Sequence, residues 1–157
     1  MTVKRLAFAF LAFAFFVAVA PRPATASDQA DVMATVRQFV DNFNSGKTDA
    51  AIATCDSPAF IVDEFPPHTW SGPTACTDWF SAYDTDSKKN GVTDGVVTLG
   101  APWHVDVTGE RAYVVAPTIY AYKQHGKPVK EPHSVLTVAL RKTSAGWRIT
   151  AWTWSKH

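Results

Sequence analysis

Cysteine is scarce in this chain: Cys55 and Cys76 are the only two in 157 residues. They have no C-x-x-C spacing, which argues against a zinc ribbon or a thioredoxin-like redox motif. Charge of one sign is also lacking, with 15 Lys and Arg against 14 Asp and Glu and no basic stripe. Nucleic acid is therefore not an expected partner. Beyond residue 20 no apolar run approaches the ~20 residues of a spanning helix. A phosphate loop, a dinucleotide fingerprint and a G-x-S-x-G elbow are all missing. These absences set aside nucleotide-dependent and serine-hydrolase chemistry, and no cofactor or metal is expected.

The first 26 residues are different in kind. Lys4 and Arg5 precede an unbroken apolar run from Leu6 to Ala20, and Ala24-Thr25-Ala26 offers a small-x-small cleavage site. The run is 15 residues, short for a membrane anchor and right for a secretory signal. Residues 1–26 are thus expected to be a signal peptide, and 27–157 a single exported domain, periplasmic or extracellular, with no membrane attachment after cleavage. Without Lys4, Arg5 and Arg22 the remainder carries 12 basic and 14 acidic residues, so it is near neutral. In an oxidising compartment the two cysteines are expected to form a disulfide, against the alternative of two buried thiols.

Along that domain, Val32, Val36, Phe39, Val40 and Phe43 recur at three- and four-residue spacing and predict a helix over 28–44. Asn44-Ser45-Gly46 ends it, and Thr48 is placed to cap a short second helix. Ala59 to Val62 reads as a strand ending in Asp63-Glu64. Ser71-Gly72-Pro73 then opens a third helix with Cys76, Trp79, Phe80 and Tyr83 on its inner face. After Asn90-Gly91 the period becomes β, with strands expected near 96–107, 111–123, 133–142 and 147–155. Helices followed by hairpin-linked strands predict an α+β domain, a curved antiparallel sheet packed by three N-terminal helices. Trp147 and Ile149 are out of phase with Trp152 and Trp154, which predicts a bulge near Ala151.

This order of elements resembles the nuclear transport factor 2-like superfamily, in its SnoaL-like and ketosteroid isomerase-like branch. Three segments carry the resemblance: FVDNFNSGK (39–47), FIVDEFPPHTWSG (60–72) and GWRITAWTWS (146–155). It implies a cone-shaped sheet closed by helices, often enclosing an apolar small molecule, and a tendency to pair as a homodimer through the outer sheet face. Trp70, Trp79, Tyr83, Trp103, Tyr120, Trp152 and Trp154 are the candidate ligand-binding residues, each weighed against plain core packing.

Asp63 is the sharpest candidate for chemistry. It precedes Gly72 by the offset that the ketosteroid isomerase pattern gives its general base, and an apolar surround suits proton transfer near neutral pH. His68 and His104 are candidate acid partners. The rest of that isomerase's apparatus does not carry over: Phe39 stands where an oxyanion-binding Tyr is expected, and Ser134 to Leu140 contains no acid. Three functions remain open: binding of an apolar small molecule, a lyase, isomerase or cyclase using Asp63 as base, and a homodimeric interaction module.

Overall fold

The computed structural model describes residues 26–156, so all but the last residue of the predicted signal lies outside the described residues. Helix α1 (Ala26–Asn44) buries Val32, Met33, Val36, Phe39 and Val40, the stripe its spacing predicts. A short α2 (Thr48–Ile52) follows. Lys47, not Thr48, occupies its N-cap, and no side chain caps it. Strand β1 (Cys55–Val62) forms a hairpin with a short β2 (Thr69–Gly72), and α3 (Ala75–Asn90) buries Ala75, Cys76, Trp79 and Phe80. The chain ends in β3 (Val92–Leu99), β4 (His104–Thr108), β5 (Arg111–Gln124), β6 (Lys127–Thr143) and β7 (Gly146–Lys156). Among the described residues no helix is long and apolar enough to cross a membrane.

The seven strands form one sheet in the order β2-β1-β7-β6-β5-β3, with β4 also paired to β5. The long strands are antiparallel as predicted, but β1 runs parallel to β7. No hairpin joins those two, so chain connection does not fix their relative direction. The single strand predicted over 96–107 is two strands. β3 pairs with 118–124 of β5, and β4 pairs with 111–115. Between them Gly100 N–H donates to the Pro117 carbonyl at 2.9 Å and Trp103 N–H to the Val115 carbonyl at 2.8 Å. A side chain at Gly100 would meet Pro117 at 3.0 Å, so glycine lets the two strands cross closely without displacing Pro117.

The β6 strand starts earlier than predicted. The strand accommodates Pro132 where the β5–β6 register slips between Thr118/Ser134 and Tyr120/Glu131. The expected β7 bulge is present. Ala139 faces Ala151 while Leu140 faces Ile149, leaving Thr150 as the extra residue. It returns Trp147, Ile149 and Trp152 to one buried face.

Helices and inner sheet face share one core, and Cys55–Cys76 ties its two halves at the start of β1 and of α3. The bridge closes a separation of 21 residues. Constraint of the unfolded chain by a loop of that size is worth about 3 kcal/mol. The Cys55→Ser/Cys76→Ser double variant is accordingly expected to unfold about 3 kcal/mol more easily in urea, with no titratable thiol in the unreduced parent. An unchanged midpoint, or two free thiols in the parent, would overturn the bridge's role.

Candidate functional site

Asp63 follows the last residue of β1, and a tight turn fixes where it points. Its N–H donates to the His68 carbonyl at 3.0 Å, and His68 N–H donates to the Phe65 carbonyl at 2.9 Å. His68 takes φ 70, a left-handed conformation that reverses the chain into β2. The turn aims the Asp63 carboxylate under α3. Oδ2 accepts the Trp79 indole N–H at 2.9 Å, and Oδ1 accepts the Glu64 backbone N–H at 2.7 Å. The residue is 8% exposed. Burial raises its pKa from the ordinary 3.8 to about 6, against the two N–H donors, which favour the charged form.

A cavity of about 90 Å³ that opens to solvent lies beside this carboxylate. Helix α1 supplies Phe39, Val40 and Phe43, and α3 supplies Trp79 and Tyr83. The β1–β2 turn contributes Asp63, Glu64 and Phe65; the sheet contributes Val97, Tyr120, Leu136, Trp152 and Trp154. The rings brace one another edge to face: Trp79 meets Trp152 at 4.8 Å and 85°, and Tyr83 meets Phe43 at 5.2 Å and 65°. A wider groove of about 350 Å³, lined by Asn44, Asp84 and Asp94 among others, lies toward β3. It holds neither the buried acid nor any of the tryptophans, so the smaller cavity is the candidate site.

Two hydroxyls add a polar feature. Tyr83 and Tyr120 share a hydrogen bond of 2.6 Å, and Gly95 of β3 leaves them room, since a Cβ there would sit 2.6 Å from the Tyr120 oxygen. Burial, then the Tyr83 contact, pushes the Tyr120 pKa well above its usual range, so Tyr120 is neutral at physiological pH. Near the Glu64 side of the cavity, Lys156 bridges Glu64 at 2.8 Å and Glu131 at 3.0 Å. Partial burial opposes its charge, but the two carboxylates outweigh that and raise its pKa.

Of the aromatic residues named from sequence, Trp79, Tyr83, Tyr120, Trp152 and Trp154 line the cavity. Trp70 does not: it is buried behind Phe65, with ring centroids 5.0 Å apart. Trp103 does not either. It lies in the break between β3 and β4, where no helix covers it, and is 59% exposed. His104 begins β4 and is exposed, away from Asp63. The His68 ring nitrogen approaches the Asp63 backbone carbonyl at 3.2 Å, not its carboxylate, because the turn that places Asp63 faces His68 outward. Neither histidine is among the hydrogen-bond partners of the Asp63 carboxylate, which are the Glu64 and Trp79 N–H groups. Among the described residues no group of three or more His, Cys, Asp or Glu is close enough to hold a metal. Sequence reasoning missed Phe65, Val97 and Leu136 as lining; for α1 the helical face was legible, and only its meeting with the sheet makes it a cavity wall.

The raised pKa of Asp63 has a consequence for stability. The folded protein holds this proton to about pH 6, whereas an unfolded aspartate releases it near 3.9. Its contribution is therefore full below about pH 4 and is lost as pH rises through about 6. That displacement corresponds to about 3 kcal/mol. Relative to Asp63→Asn, the parent is expected to lose about that amount of unfolding free energy between pH 4 and pH 7.5. Denaturant titrations at both pH values check this, and parallel curves for the two proteins would refute it.

A profile of the SnoaL-like domain matches residues 32–156. Comparison with curated proteins finds no match in sequence. Several solved structures share the fold. A nuclear transport factor 2-like superfamily protein from Salmonella enterica superposes with TM-score 0.71 at 15% identity, covering 85% of this chain and 93% of that one. A nuclear transport factor 2-like protein with a cystatin-like fold from Novosphingobium aromaticivorans gives 0.67 at 17% identity, over 83% and 82% of the two chains. A ketosteroid isomerase-like protein from Erwinia carotovora gives 0.66 at 18% identity, over 84% and 98%. At such identities the likeness is one of fold, and function has to come from the site. With its helix-closed sheet and a profile match spanning nearly all the described residues, the chain belongs to the SnoaL-like domain family and has the nuclear transport factor 2-like fold.

Proposed function

We propose that this protein binds a small, largely apolar molecule in the aromatic cavity and anchors it by one polar group beside Asp63. The observation that carries this reading is the contrast within the lining: two carboxylates and a tyrosine pair in a wall otherwise aromatic or aliphatic. Such a wall gives apolar burial for affinity, and few polar groups give orientation. Benzyl alcohol is a fitting neutral probe, one ring and one hydroxyl. It is expected to quench tryptophan fluorescence saturably, and Val97→Phe, which narrows the cavity from β3, is expected to abolish that. A linear, non-saturating response shared by both proteins would end the reading.

A second reading rests on Asp63 itself. A carboxylate with a pKa of about 6, desolvated beside a space a substrate carbon can enter, is equipped to take a proton. The hydrogen-bonded Tyr83–Tyr120 pair lines the same cavity and can donate a hydrogen bond to an oxygen as charge develops on it. This reading makes the protein a lyase, isomerase or cyclase with Asp63 as base. The protein is then expected to exchange the ring protons of cyclohex-2-enone for deuterium, with the rate falling about 10²-fold or more in Asp63→Asn. Equal rates in the two proteins, followed by NMR in heavy water, would remove Asp63 from chemistry.

A further inference from the structure

The charges around the cavity are one-sided. Asp63 and Glu64 line it, and the lining contains no Lys, Arg or His. Glu64 shares Lys156 with Glu131, so two carboxylates divide one ammonium group. Asp63 has no salt bridge among the described residues; its oxygens take only the Trp79 and Glu64 N–H groups. Buried carboxylates are ordinarily matched by a cation, and the basic group that acts on this one, Lys156, makes its bridges to Glu64 and Glu131 instead. The rest of the wall is also suited to positive charge. Trp79, Tyr83, Tyr120, Trp152 and Trp154 surround the space, and aromatic faces attract a cationic nitrogen while burying the carbon around it.

We propose that the molecule taken by the cavity carries a cationic nitrogen within an apolar shell, an alkylated ammonium group, set against the aromatic wall with Asp63 as its counter-charge. The inference rests on the binding role proposed above and names the chemical class of the ligand. It reconciles two features that a neutral apolar ligand leaves apart, the aromatic shell and the acid without a salt bridge. Alkyl groups on the nitrogen hold water away from the charge, so the cation enters the cavity with less desolvation than a bare ammonium.

The groups facing Asp63 are Trp79 and Tyr83 from α3, Glu64 from its own turn, Tyr120 from β5 and Lys156 from β7, with the His68 ring at its backbone carbonyl. Among them Asp63 is the acid whose ionisation is displaced to about pH 6, so affinity for a cation is expected to rise with pH through that value.

Choline and 3,3-dimethylbutan-1-ol share shape and hydroxyl and differ in charge, a trimethylammonium group against a tert-butyl group. Titrated into the protein at constant ionic strength and followed by tryptophan fluorescence and calorimetry, choline is expected to bind about tenfold more tightly than the alcohol at pH 8. That preference should shrink at pH 5, and Asp63→Asn should remove it. Equal affinities at pH 8, or tighter binding of the alcohol, would overturn the cationic ligand and leave the apolar-binding role standing. Binding of neither compound would overturn both. The comparison of the two probes on the parent protein decides the matter even where the variant does not fold.

Discussion

Keeping the Asp63 carboxylate inside an aromatic shell opposes folding, and the Trp79 indole N–H at 2.9 Å and Glu64 N–H at 2.7 Å offset only part of that cost. Trp79 is the residue through which this constraint spreads. Its ring stacks on Tyr83 at 5.5 Å and meets Phe80 and Trp152 edge to face at 4.8 Å, so the hydrogen bond that steadies the acid also locates α3 on the sheet. The disulfide joins the first turn of α3 to the start of β1, and Asp63 stands just past that strand's end. The acid and its donor are thus carried on two elements bonded covalently at one end and by a hydrogen bond at the other. A site held within a fraction of an ångström needs this sort of support from outside the reacting groups.

The cavity persists because the rings around it have nowhere better to go. Phe39, Phe43 and Trp79 already touch one another across the α1–α3 interface, with centroids 6.1 to 6.5 Å apart. The β7 bulge at Thr150 decides which tryptophans face them. Without it the strand would hold one parity throughout and turn Trp152 and Trp154 to the outer face, where Phe60 and Tyr113 are already exposed. One extra residue in β7 therefore separates a sheet with an aromatic interior from one with an aromatic exterior.

Local signals in the sequence reached far in some places and stopped short in others. The α1 stripe, the Trp79 face of α3 and the β7 bulge were legible because each rests on periodicity within one element. The family resemblance supplied Asp63, and the structure puts that residue in the cavity wall. The split of β3 from β4 was hidden because it depends on Pro117, a residue of the neighbouring strand. Trp103 and His104 were misplaced for a like reason: an aromatic and a histidine in strand-like sequence carry no mark of facing solvent. Trp70 was half right, an inner residue whose path to the cavity is blocked by Phe65.

The departures noted at Phe39 and in the penultimate strand acquire a physical meaning from the geometry. Phe39 packs its ring on Trp152 at 5.9 Å, and Leu136 is the strand's contribution to the wall, so both surfaces are apolar. The hydroxyls of the cavity wall are instead the Tyr83–Tyr120 pair, carried by α3 and β5. A ligand or substrate oxygen that sought a donor would have to reach those two elements, which constrains its orientation relative to Asp63. Because the pair's short hydrogen bond leaves one hydroxyl proton free, it can donate to one acceptor at a time. Stabilising an enolate takes several converging donors, and the wall is better matched to holding a single polar group in a fixed direction while the aromatic shell buries the rest.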